Sequence, residues 1–219
     1  MSLALAIFDL DNTLIAGDSD HAWGDFLISK NVVDPDIYKR TNDQFYQDYV
    51  NGELDIHRYL RFALEPLTKE PLPTLLNWRQ QFMEQVVLPM ILPAGRQLLS
   101  RHRQAGDFCL IITATNRFVT EPIAEELGVD DLIATEPEFV DGHYTGHVVG
   151  TPSYQSGKVE RLNCWLNDRP YDLESACFYS DSHNDIPLLE KVGNPIVVDP
   201  DSILAEHAER QQWQTMSLR

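Results

Sequence analysis

Residues 6–14 of the chain read Ala-Ile-Phe-Asp-Leu-Asp-Asn-Thr-Leu. The apolar run from Leu3 to Phe8 predicts a buried β-strand, and Asp9 and Asp11 follow it at positions i and i+2. Side chains alternate between the two faces of a strand, so both carboxylates would point the same way. Paired carboxylates repel each other unless a cation lies between them, and hard divalent cations prefer oxygen ligands. The stretch therefore predicts either a metal site or, if Asn12 and Thr13 merely form a turn, a polar loop.

The charge of the chain bears on its partners. Its 219 residues include 17 basic and 34 acidic side chains, for a net charge of -17. Nucleic acids are bound by basic patches that match their phosphates, and anionic membrane surfaces attract similar patches. We therefore expect neither a nucleic-acid partner nor a membrane partner. A phosphorylated substrate would need positive charge supplied locally by a metal ion and a few placed cations.

The cysteines and the hydropathy pattern bear on the compartment. Cys109, Cys164 and Cys177 lie far apart without Cys-x-x-Cys spacing, which is typical of reduced, structural thiols. No basic segment precedes the first apolar run, and no apolar stretch approaches the ~20 residues that a transmembrane helix needs. These patterns predict a soluble, cytoplasmic protein, and they leave its oligomeric state open.

The residues after Leu14 have a helical pattern rich in aromatic side chains. Asp18 or Ser19 is a candidate cap for a first helix from about residue 21 to 30. Asp34, followed by proline, and Asp55 predict two further helix starts, and a fourth helix follows three prolines. The aromatic stripe at helical spacing is more typical of a small helical core than of a ligand site. We therefore expect a separate helical unit.

From Pro93 onward, predicted helices and strands alternate, which favours a doubly wound, parallel α/β sheet. The predicted helices span about 95–104, 120–127 (with Thr120 as cap), 156–166, 186–192 and 202–211. The predicted strands span about 108–112, 132–135, 176–179 and 195–198, with a hairpin over 139–144 around an Asp-Gly turn. The first strand belongs to this sheet. The expected organisation is a Rossmann-like core of residues 1–14 and 90–219, with a helical cap of residues 15–89 inserted after the first strand.

Ligands of an open parallel sheet bind at the carboxyl ends of its strands, so the residues that follow each predicted strand indicate the chemistry. These residues are Asp9 and Asp11; Thr113-Ala114-Thr115-Asn116; and Ser180-Asp181-Ser182-His183-Asn184-Asp185, with Lys158 near the start of an intervening helix. The carboxylates suit a metal ion, while hydroxyls, backbone amides and a lysine suit an anion. This combination is typical of a phosphoryl-transfer site.

Four of these segments, in this order, resemble the motifs of the haloacid dehalogenase superfamily of phosphohydrolases. They are Asp9-x-Asp11-x-Thr13, Ile111-Ile112-Thr113, Lys158 and Asp181-x-x-x-Asp185. The helical insertion directly after the first motif resembles the small cap of the phosphoserine-phosphatase-like branch, subfamily IB. Four motifs in order are more specific than any single one, although a lone lysine that opens a helix is usually solvated.

The resemblance implies a role for each motif. Asp9 would be the nucleophile that forms an aspartyl-phosphate, and Asp11 the general acid and base. Mg²⁺ would be bound by the Asp9 carboxylate, the backbone carbonyl of Asp11 and Asp181, with Asp185 orienting these ligands. The transferring phosphate oxygens would be held by Thr113, the backbone amide of Ala114 and Lys158. The resulting hypothesis is an Mg²⁺-dependent phosphomonoesterase that acts on a small phosphate ester.

Three positions depart from the family pattern or have two interpretations. Ser180 stands where glycine is common, which we expect to matter little because serine is small. His183 either tunes the site or is an ordinary surface-loop histidine, which is the more frequent case. Asn116 either donates to phosphate or substrate, or caps the next helix.

Substrate choice is expected to come from the insertion. Phosphoserine phosphatases carry a carboxylate nine positions after the nucleophile that binds the substrate amine, and Asp18 occupies that position here. Asp18 also has the simpler interpretation of a helix cap. Arg58 and Arg61 are candidates for a substrate carboxylate by location alone. The pattern favours an amine-bearing phosphate, such as histidinol phosphate, over phosphoserine.

Two other functions share parts of the pattern. A phosphotransferase or mutase would use the same four motifs and pass the phosphoryl group to a second hydroxyl. A phospho-aspartate signalling domain of the receiver type also gathers aspartates, a hydroxyl and a lysine. Receiver domains are roughly half as long and lack a helical cap, so the insertion argues against that alternative.

Overall fold

The computed structural model describes residues 4–219 of the chain, so Met1, Ser2 and the predicted strand residue Leu3 lie outside the described part. The strands are β1 (Leu5–Phe8), β2 (Phe108–Asn116), β3 (Asp131–Val140), β4 (His143–Val149), β5 (Cys177–Ser180), β6 (Asn194–Val198) and β7 (Gln214–Met216). The helices are α1 (Ser19–Ser29), α2 (Pro35–Val50), α3 (Ile56–Leu64), α4 (Leu72–Phe82), α5 (Leu88–Met90), α6 (Pro93–Ala105), α7 (Arg117–Leu127), α8 (Ser156–Leu166), α9 (Ile186–Leu189) and α10 (Ser202–Gln211). Two 3₁₀ turns (Glu65–Thr68, His183–Asp185) and one π turn (Met83–Val87) complete the described elements.

The described strands form one sheet in the order β4-β3-β2-β1-β5-β6-β7. All neighbouring pairs are parallel except β3 and β4, which form an antiparallel hairpin at one edge. The hairpin turns at Asp141 and Gly142, both with positive φ (50° and 84°), as a tight turn of this kind requires. The predicted α/β class with a parallel sheet is confirmed.

Strand β1 lies at the centre of the sheet, and its four residues are buried. Ala6 and Phe8 belong to one hydrophobic cluster, while Leu5 and Ile7 belong to another. This alternation places one cluster on each face of the sheet, as the two-residue repeat of a strand dictates. Both faces are therefore covered, which explains why the strand is apolar throughout.

The first three helices after β1, namely α1, α2 and α3, begin where polar residues cap them. Asp18, Asp34 and Asp55 each accept a hydrogen bond from the backbone N–H three residues later, at 2.8, 2.9 and 3.0 Å. The helix starts predicted at Asp34 and Asp55 are confirmed. These caps satisfy backbone donors that have no partner within the helix.

Aromatic residues join these helices to the sheet. Trp23 of α1 packs edge-on against Phe82 of α4 at 5.1 Å and against Phe118 of α7 at 5.7 Å between ring centroids. All three rings are at most 2% exposed and belong to the same hydrophobic cluster as Phe8. The helical segment and one face of the sheet therefore share one packed cluster.

Several predicted boundaries were wrong, and one strand was not predicted. Strand β2 runs to Asn116 rather than residue 112, because polar threonines continue it past the apolar run. Helix α7 begins at Arg117 with Asn116 as its cap, whereas Thr120 is buried inside the helix. The helix predicted over 186–192 ends at Leu189, and strand β7 was not predicted.

Within residues 4–219, none of the helices combines the length and the apolar character needed to cross a membrane.

Candidate active site

The carboxyl ends of β1, β2 and β5 meet at one edge of the sheet, because β1 is paired with both neighbours. The amide of Asp9 donates to the carbonyl of Tyr179 at 2.8 Å, which continues the β1–β5 pairing one residue past the strand. Asp9, Asp11 and residues 113–115 line one cavity together with residues of α1, α2 and α3. The cavity therefore lies between the sheet edge and the helices inserted after β1.

Asp11 reaches the cavity by a different route from the one that strand alternation predicted. Strand β1 ends at Phe8, and a turn follows in which the amides of Leu14 and Ile15 donate to the carbonyl of Leu10 at 2.9 and 3.2 Å. Asn12 adopts a positive φ of 56° within this turn. The turn, and not the two-residue repeat of a strand, brings the two aspartates to the same cavity.

Thr13 connects this turn to the end of β5. Its hydroxyl donates to Oδ1 of Asp181 at 2.9 Å and accepts a hydrogen bond from the amide of Asp181 at 3.1 Å. The threonine of the first motif therefore fixes the first residue of the fourth motif, although the two lie 168 positions apart.

Lys158 is buried, with 3% of its side chain exposed. Its ammonium group donates to Asp9 Oδ1 at 2.8 Å and contacts both carboxylate oxygens of Asp185, at 2.7 and 2.8 Å. Burial lowers the pKa of Lys158, but the attraction of Asp185 and Asp9 outweighs it, so the net shift is upward. The lysine is therefore a charged partner of the two carboxylates and not a solvated side chain.

Two small residues make this placement of Lys158 and Asp185 possible. A side chain at Gly157 would collide with the carbonyl oxygen of Pro152, so glycine allows α8 to start close to that loop. The hydroxyl of Ser180 donates to Asp185 Oδ2 at 2.7 Å. The serine that stands where glycine is common is therefore accommodated and adds a hydrogen bond to Asp185.

Asp9, Asp181 and Asp185 lie close enough to influence one another's charge, and the first two could act as ligands of a metal ion. Burial raises the pKa of Asp9 to about 7, with Lys158 opposing this shift and Asp185 adding to it. Burial also raises the pKa of Asp181 well above its usual range, and Asp9 and Asp185 raise it further. Lys158 is bonded to Asp9 and Asp185 but not to Asp181, so the three carboxylates together keep negative charge that a divalent ion would neutralise. The residues therefore fit Mg²⁺, which prefers carboxylate and carbonyl oxygens.

The carboxylate of Asp11 is held by hydrogen bonds from α1 and β2. It accepts hydrogen bonds from the amide of Ser19 at 2.6 Å, from the hydroxyl of Thr115 at 2.9 Å and from that of Thr113 at 3.4 Å. Burial and the nearby charge of Asp18 raise its pKa to about 6, although the bonds from Ser19 and Thr115 oppose the shift. A pKa near neutrality suits a group that both donates and accepts a proton.

The second motif also borders the cavity. Thr113 and Ala114 both line it, and Thr113 is 1% exposed. The hydroxyl of Thr113 accepts a hydrogen bond from the amide of Thr115 at 3.2 Å, and the carbonyl of Ala114 accepts one from Thr135 at 2.8 Å. These bonds fix the β2 end beside Asp9 and Asp11.

The remaining predicted residues have mixed placements. Asp18 caps α1 and also lines the cavity, so its two interpretations are compatible. Asn116 caps α7 through its Oδ1 and donates from Nδ2 to Asp20 at 3.2 Å, so its side chain is used within the protein. Arg58 and Arg61 are exposed, and neither is among the residues that line the cavity.

His183 is not an ordinary surface histidine. Its ring Nδ1 lies 2.8 Å from Asp201 Oδ2, while its buried Nε2 has no hydrogen-bond partner in the described part of the chain. Nε2 points at Gly52, where an added Cβ would lie 2.7 Å away. His183 therefore packs against the loop after α2.

The loop that contains His183 meets the end of α2 at two further points. The amide of the Asn184 side chain donates to the carbonyl of Tyr49 at 3.1 Å, and the hydroxyl of Tyr49 lies 3.4 Å from Ser182 Oγ. These contacts hold the aromatic end of α2 over the ends of β1 and β5.

The sequence interpretation missed several residues of the cavity wall. The wall also includes Asp20 and His21 of α1, Phe45, Tyr46 and Tyr49 of α2, and Tyr59 of α3. The aromatic residues were assigned to a small helical core, and some of them in fact face the cavity. The available signal was Asp18-Ser19-Asp20-His21, four polar residues that follow closely after the first motif.

A mostly parallel sheet with a carboxylate-lined cavity at the carboxyl ends of its strands is typical of α/β enzymes, and comparison with known proteins specifies the class. The family model of haloacid dehalogenase-like hydrolases matches residues 6–190. The chain therefore belongs to the haloacid dehalogenase-like hydrolases, as its four motifs predicted. It is an enzyme, of the phosphatase type within that family.

Similar proteins agree with this class. A histidinol-phosphatase of Neisseria meningitidis serogroup C (strain 8013) is 44% identical over 98% of this chain and 99% of its own length. A protein of unknown function from Bordetella pertussis Tohama I has a crystal structure with a TM-score of 0.93, at 42% identity and full coverage of both chains. A substrate-bound phosphoserine phosphatase has a TM-score of 0.73 at 19% identity, covering 99% of this chain and 93% of its own, and shares the fold.

Proposed function

We propose that the chain is an Mg²⁺-dependent phosphomonoesterase in which Asp9 attacks the phosphorus atom of a small phosphate ester and forms an aspartyl-phosphate. The observation that carries this proposal is the buried pair of Asp9 and Lys158, joined at 2.8 Å at the cavity that Asp11 also lines. Lys158 favours the ionised form of Asp9, which is the form that acts as a nucleophile.

Asp11 is the general acid and base of the proposal. It protonates the leaving alcohol when Asp9 attacks, and it then removes a proton from the water that hydrolyses the aspartyl-phosphate. Its hydrogen bonds from Ser19, Thr115 and Thr113 hold the carboxylate in the cavity and leave it able to exchange a proton there.

The proposal assigns the Mg²⁺ ligands to the carboxylates of Asp9 and Asp181 and to the backbone carbonyl of Asp11. Asp185 orients Lys158 and adds negative charge beside these ligands. When bound, Mg²⁺ supplies positive charge that offsets the charge of the phosphoryl oxygens. Lys158, Thr113 and the backbone amide of Ala114 bind those oxygens in the proposal.

The organisation of the chain follows from the same assignment. Residues 1–14 and 90–219 act as the catalytic core, and residues 15–89 act as a cap that supplies one wall of the cavity. A closed wall excludes water from the reacting phosphoryl group and restricts which alcohols can enter. The cap would therefore set the choice of substrate.

The proposed substrate is an amine-bearing phosphate ester, with histidinol phosphate as the first candidate. Asp18 lines the cavity and offers a carboxylate to an ammonium group. The Neisseria relative that is 44% identical over nearly the full length carries the name histidinol-phosphatase, which supports the choice.

The test is phosphate release by the purified wild type and by Asp9→Asn, with and without Mg²⁺. The substitution is nearly isosteric, so we expect the protein to stay folded while phosphate release from histidinol phosphate falls at least ~10³-fold. EDTA should abolish the wild-type activity, and added Mg²⁺ should restore it. Phosphate release in the absence of an acceptor alcohol distinguishes hydrolysis of the ester from phosphoryl transfer to a second hydroxyl. Activity of Asp9→Asn above a few per cent would show that the nucleophile lies elsewhere.

A further inference from the structure

The cavity contains a second cap carboxylate, Asp20, which the four motifs do not include. Asp20 is 7% exposed and lines the cavity from α1. Its Oδ1 accepts a hydrogen bond from Asn116 Nδ2 at 3.2 Å, and the hydroxyl of Tyr59 lies beside it as a second donor. Both of these partners are neutral, so the carboxylate is buried without a bonded cation among them.

Burial makes the negative charge of Asp20 costly. It raises the pKa of this carboxyl to about 7, and the nearby charge of Asp11 raises it further, while the bonds from Tyr59 and Asn116 oppose the shift. A carboxylate in such a place gains most from a ligand that brings positive charge or a strong N–H donor.

The wall around Asp20 is aromatic. Phe45 and Tyr59 lie edge to face with centroids 5.4 Å apart, and Tyr46 lies 5.0 Å from the ring of His21. All four rings line the same cavity. Flat apolar faces of this kind favour a planar ring, which can stack against one face or meet one edge-on.

The charge of the wall disfavours a carboxylate on the substrate. Among the described residues that line the cavity, none is lysine or arginine, and Asp18 and Asp20 are both acidic. Lys158 is already bonded to Asp9 and Asp185. A phosphorylated amino acid would bring its carboxylate towards negative charge, at an energetic cost.

We infer that Asp20 is a specificity-determining residue that accepts a hydrogen bond from a ring N–H of the substrate, the ring itself lying among Phe45, Tyr46 and Tyr59. The substrate class is a phosphate monoester that carries both an ammonium group and a nitrogen-containing aromatic ring and lacks a carboxylate. This inference rests on the proposed phosphatase activity and adds the ring as the recognised feature. Asp18 and Asp20 then have separate tasks, one for the ammonium group and one for the ring.

A comparison of two substrates and two variants tests the inference. L-Histidinol phosphate and L-phenylalaninol phosphate share the ammonium and phosphate groups, and only the first has a ring N–H. The wild type should prefer histidinol phosphate by at least ~10-fold in kcat/KM. Asp20→Asn keeps an oxygen that can accept from Asn116 but removes the charge. It should lower kcat/KM for histidinol phosphate by roughly 10- to 100-fold and change that for phenylalaninol phosphate by less than about 3-fold.

The control is Asp36→Asn, which removes one exposed cap carboxylate in the first turn of α2. It should leave kcat/KM for both substrates unchanged. The loss in Asp20→Asn would then not be due to a general loss of negative charge on the cap. If Asp20→Asn lowered kcat/KM equally for both substrates, Asp20 would only hold Asn116 in place. If it lowered kcat/KM for neither substrate, the inference would also be overturned.

Measurements on the wild type alone separate this inference from the proposed function. The wild type could hydrolyse p-nitrophenyl phosphate and yet have the same kcat/KM for histidinol phosphate and phenylalaninol phosphate. That result would overturn the ring recognition and leave the proposed phosphatase activity standing. If the wild type hydrolysed none of the three esters in the presence of Mg²⁺, both the ring recognition and the proposed phosphatase activity would be overturned.

Discussion

Four aspartates that line the cavity, Asp9, Asp11, Asp18 and Asp20, share one electrostatic property. Burial raises the pKa of each, to about 7, 6, 6 and 7 in that order. Burying several neighbouring carboxylates makes the free energy of folding less favourable. Carboxyl groups with raised pKa values are typical of sites that bind cations or transfer protons. The proposed Mg²⁺ ion and a cationic substrate would each reduce this cost.

Asp20 provides a prediction on stability against pH. Its folded-state pKa is raised from 3.8 to about 7, so the folded protein binds a proton more tightly than the unfolded chain. This contribution to stability is present below about pH 4 and is lost as the pH rises towards 7. The free energy of unfolding of the wild type should therefore fall relative to that of Asp20→Asn across this range, by at most ~1.4 kcal/mol per pH unit.

Urea unfolding of both proteins at four pH values between 4.5 and 7.5 measures this difference. All other titrating groups are common to the two proteins, so the difference reports residue 20 together with its coupling to Asp11. A difference that is constant with pH would mean that Asp20 keeps an ordinary pKa in the folded protein.

At the scale of elements, the end of α2 is attached to the loop that carries Asp181. Gly52 follows α2 with a positive φ of 73°, and an added Cβ would lie 2.7 Å from His183 Nε2. Gly106 after α6 has a similar φ of 85°, but no atom of residues 4–219 lies within 4 Å of an added Cβ. The two glycines therefore differ in their surroundings and not in their backbone conformation.

We expect Gly52→Ala and Gly106→Ala each to lose ~1–2 kcal/mol of stability from the left-handed backbone, and Gly52→Ala to lose more because its Cβ also displaces His183. Gly52→Ala should in addition lower kcat/KM by roughly 10- to 100-fold, because it displaces His183, two positions from Asp181. Thermal unfolding and phosphate release on the same samples give both quantities. Equal activity of the two variants would show that contact between α2 and this loop is not needed for turnover.

Whether the bounds of an element could be predicted from the sequence depended on whether its burial arises from the local sequence pattern or from distant contacts. The bounds of α8 and α10 agree with the sequence pattern, because each is an amphipathic helix between clear loops. Strand β2 was predicted too short because Thr113 and Thr115 are polar, and their burial comes from contacts with Asp11 that local pattern does not reveal.

At the scale of the molecule, one hydrophobic cluster extends from the sheet into the helices after β1. Phe82 of α4 is fully buried and packs against Trp23 and Phe26 of α1, with centroids 5.1 and 5.5 Å apart. A cluster shared in this way should make the proposed core and cap unfold together.

Phe82→Ala should therefore lower the free energy of unfolding by about 3–5 kcal/mol and keep a single transition. Leu76→Ala on the same helix is the control, because Leu76 is 40% exposed and its truncation should cost less than about 1 kcal/mol. Urea unfolding followed by circular dichroism and by tryptophan fluorescence gives the comparison. Two separated transitions would show that core and cap are energetically independent.

The sequence by itself determined the class of fold and the family, because these depend on local information: apolar strands, helix caps and four ordered motifs. It also identified Asp9, Asp11, Asp181 and Lys158 as candidates. The tertiary structure alone decided that Lys158 is buried against Asp9, 149 positions away, and that Asn116 bonds to Asp20, 96 positions away. Burial and charge at such sites arise from residues that are distant in sequence, so no local pattern contains them.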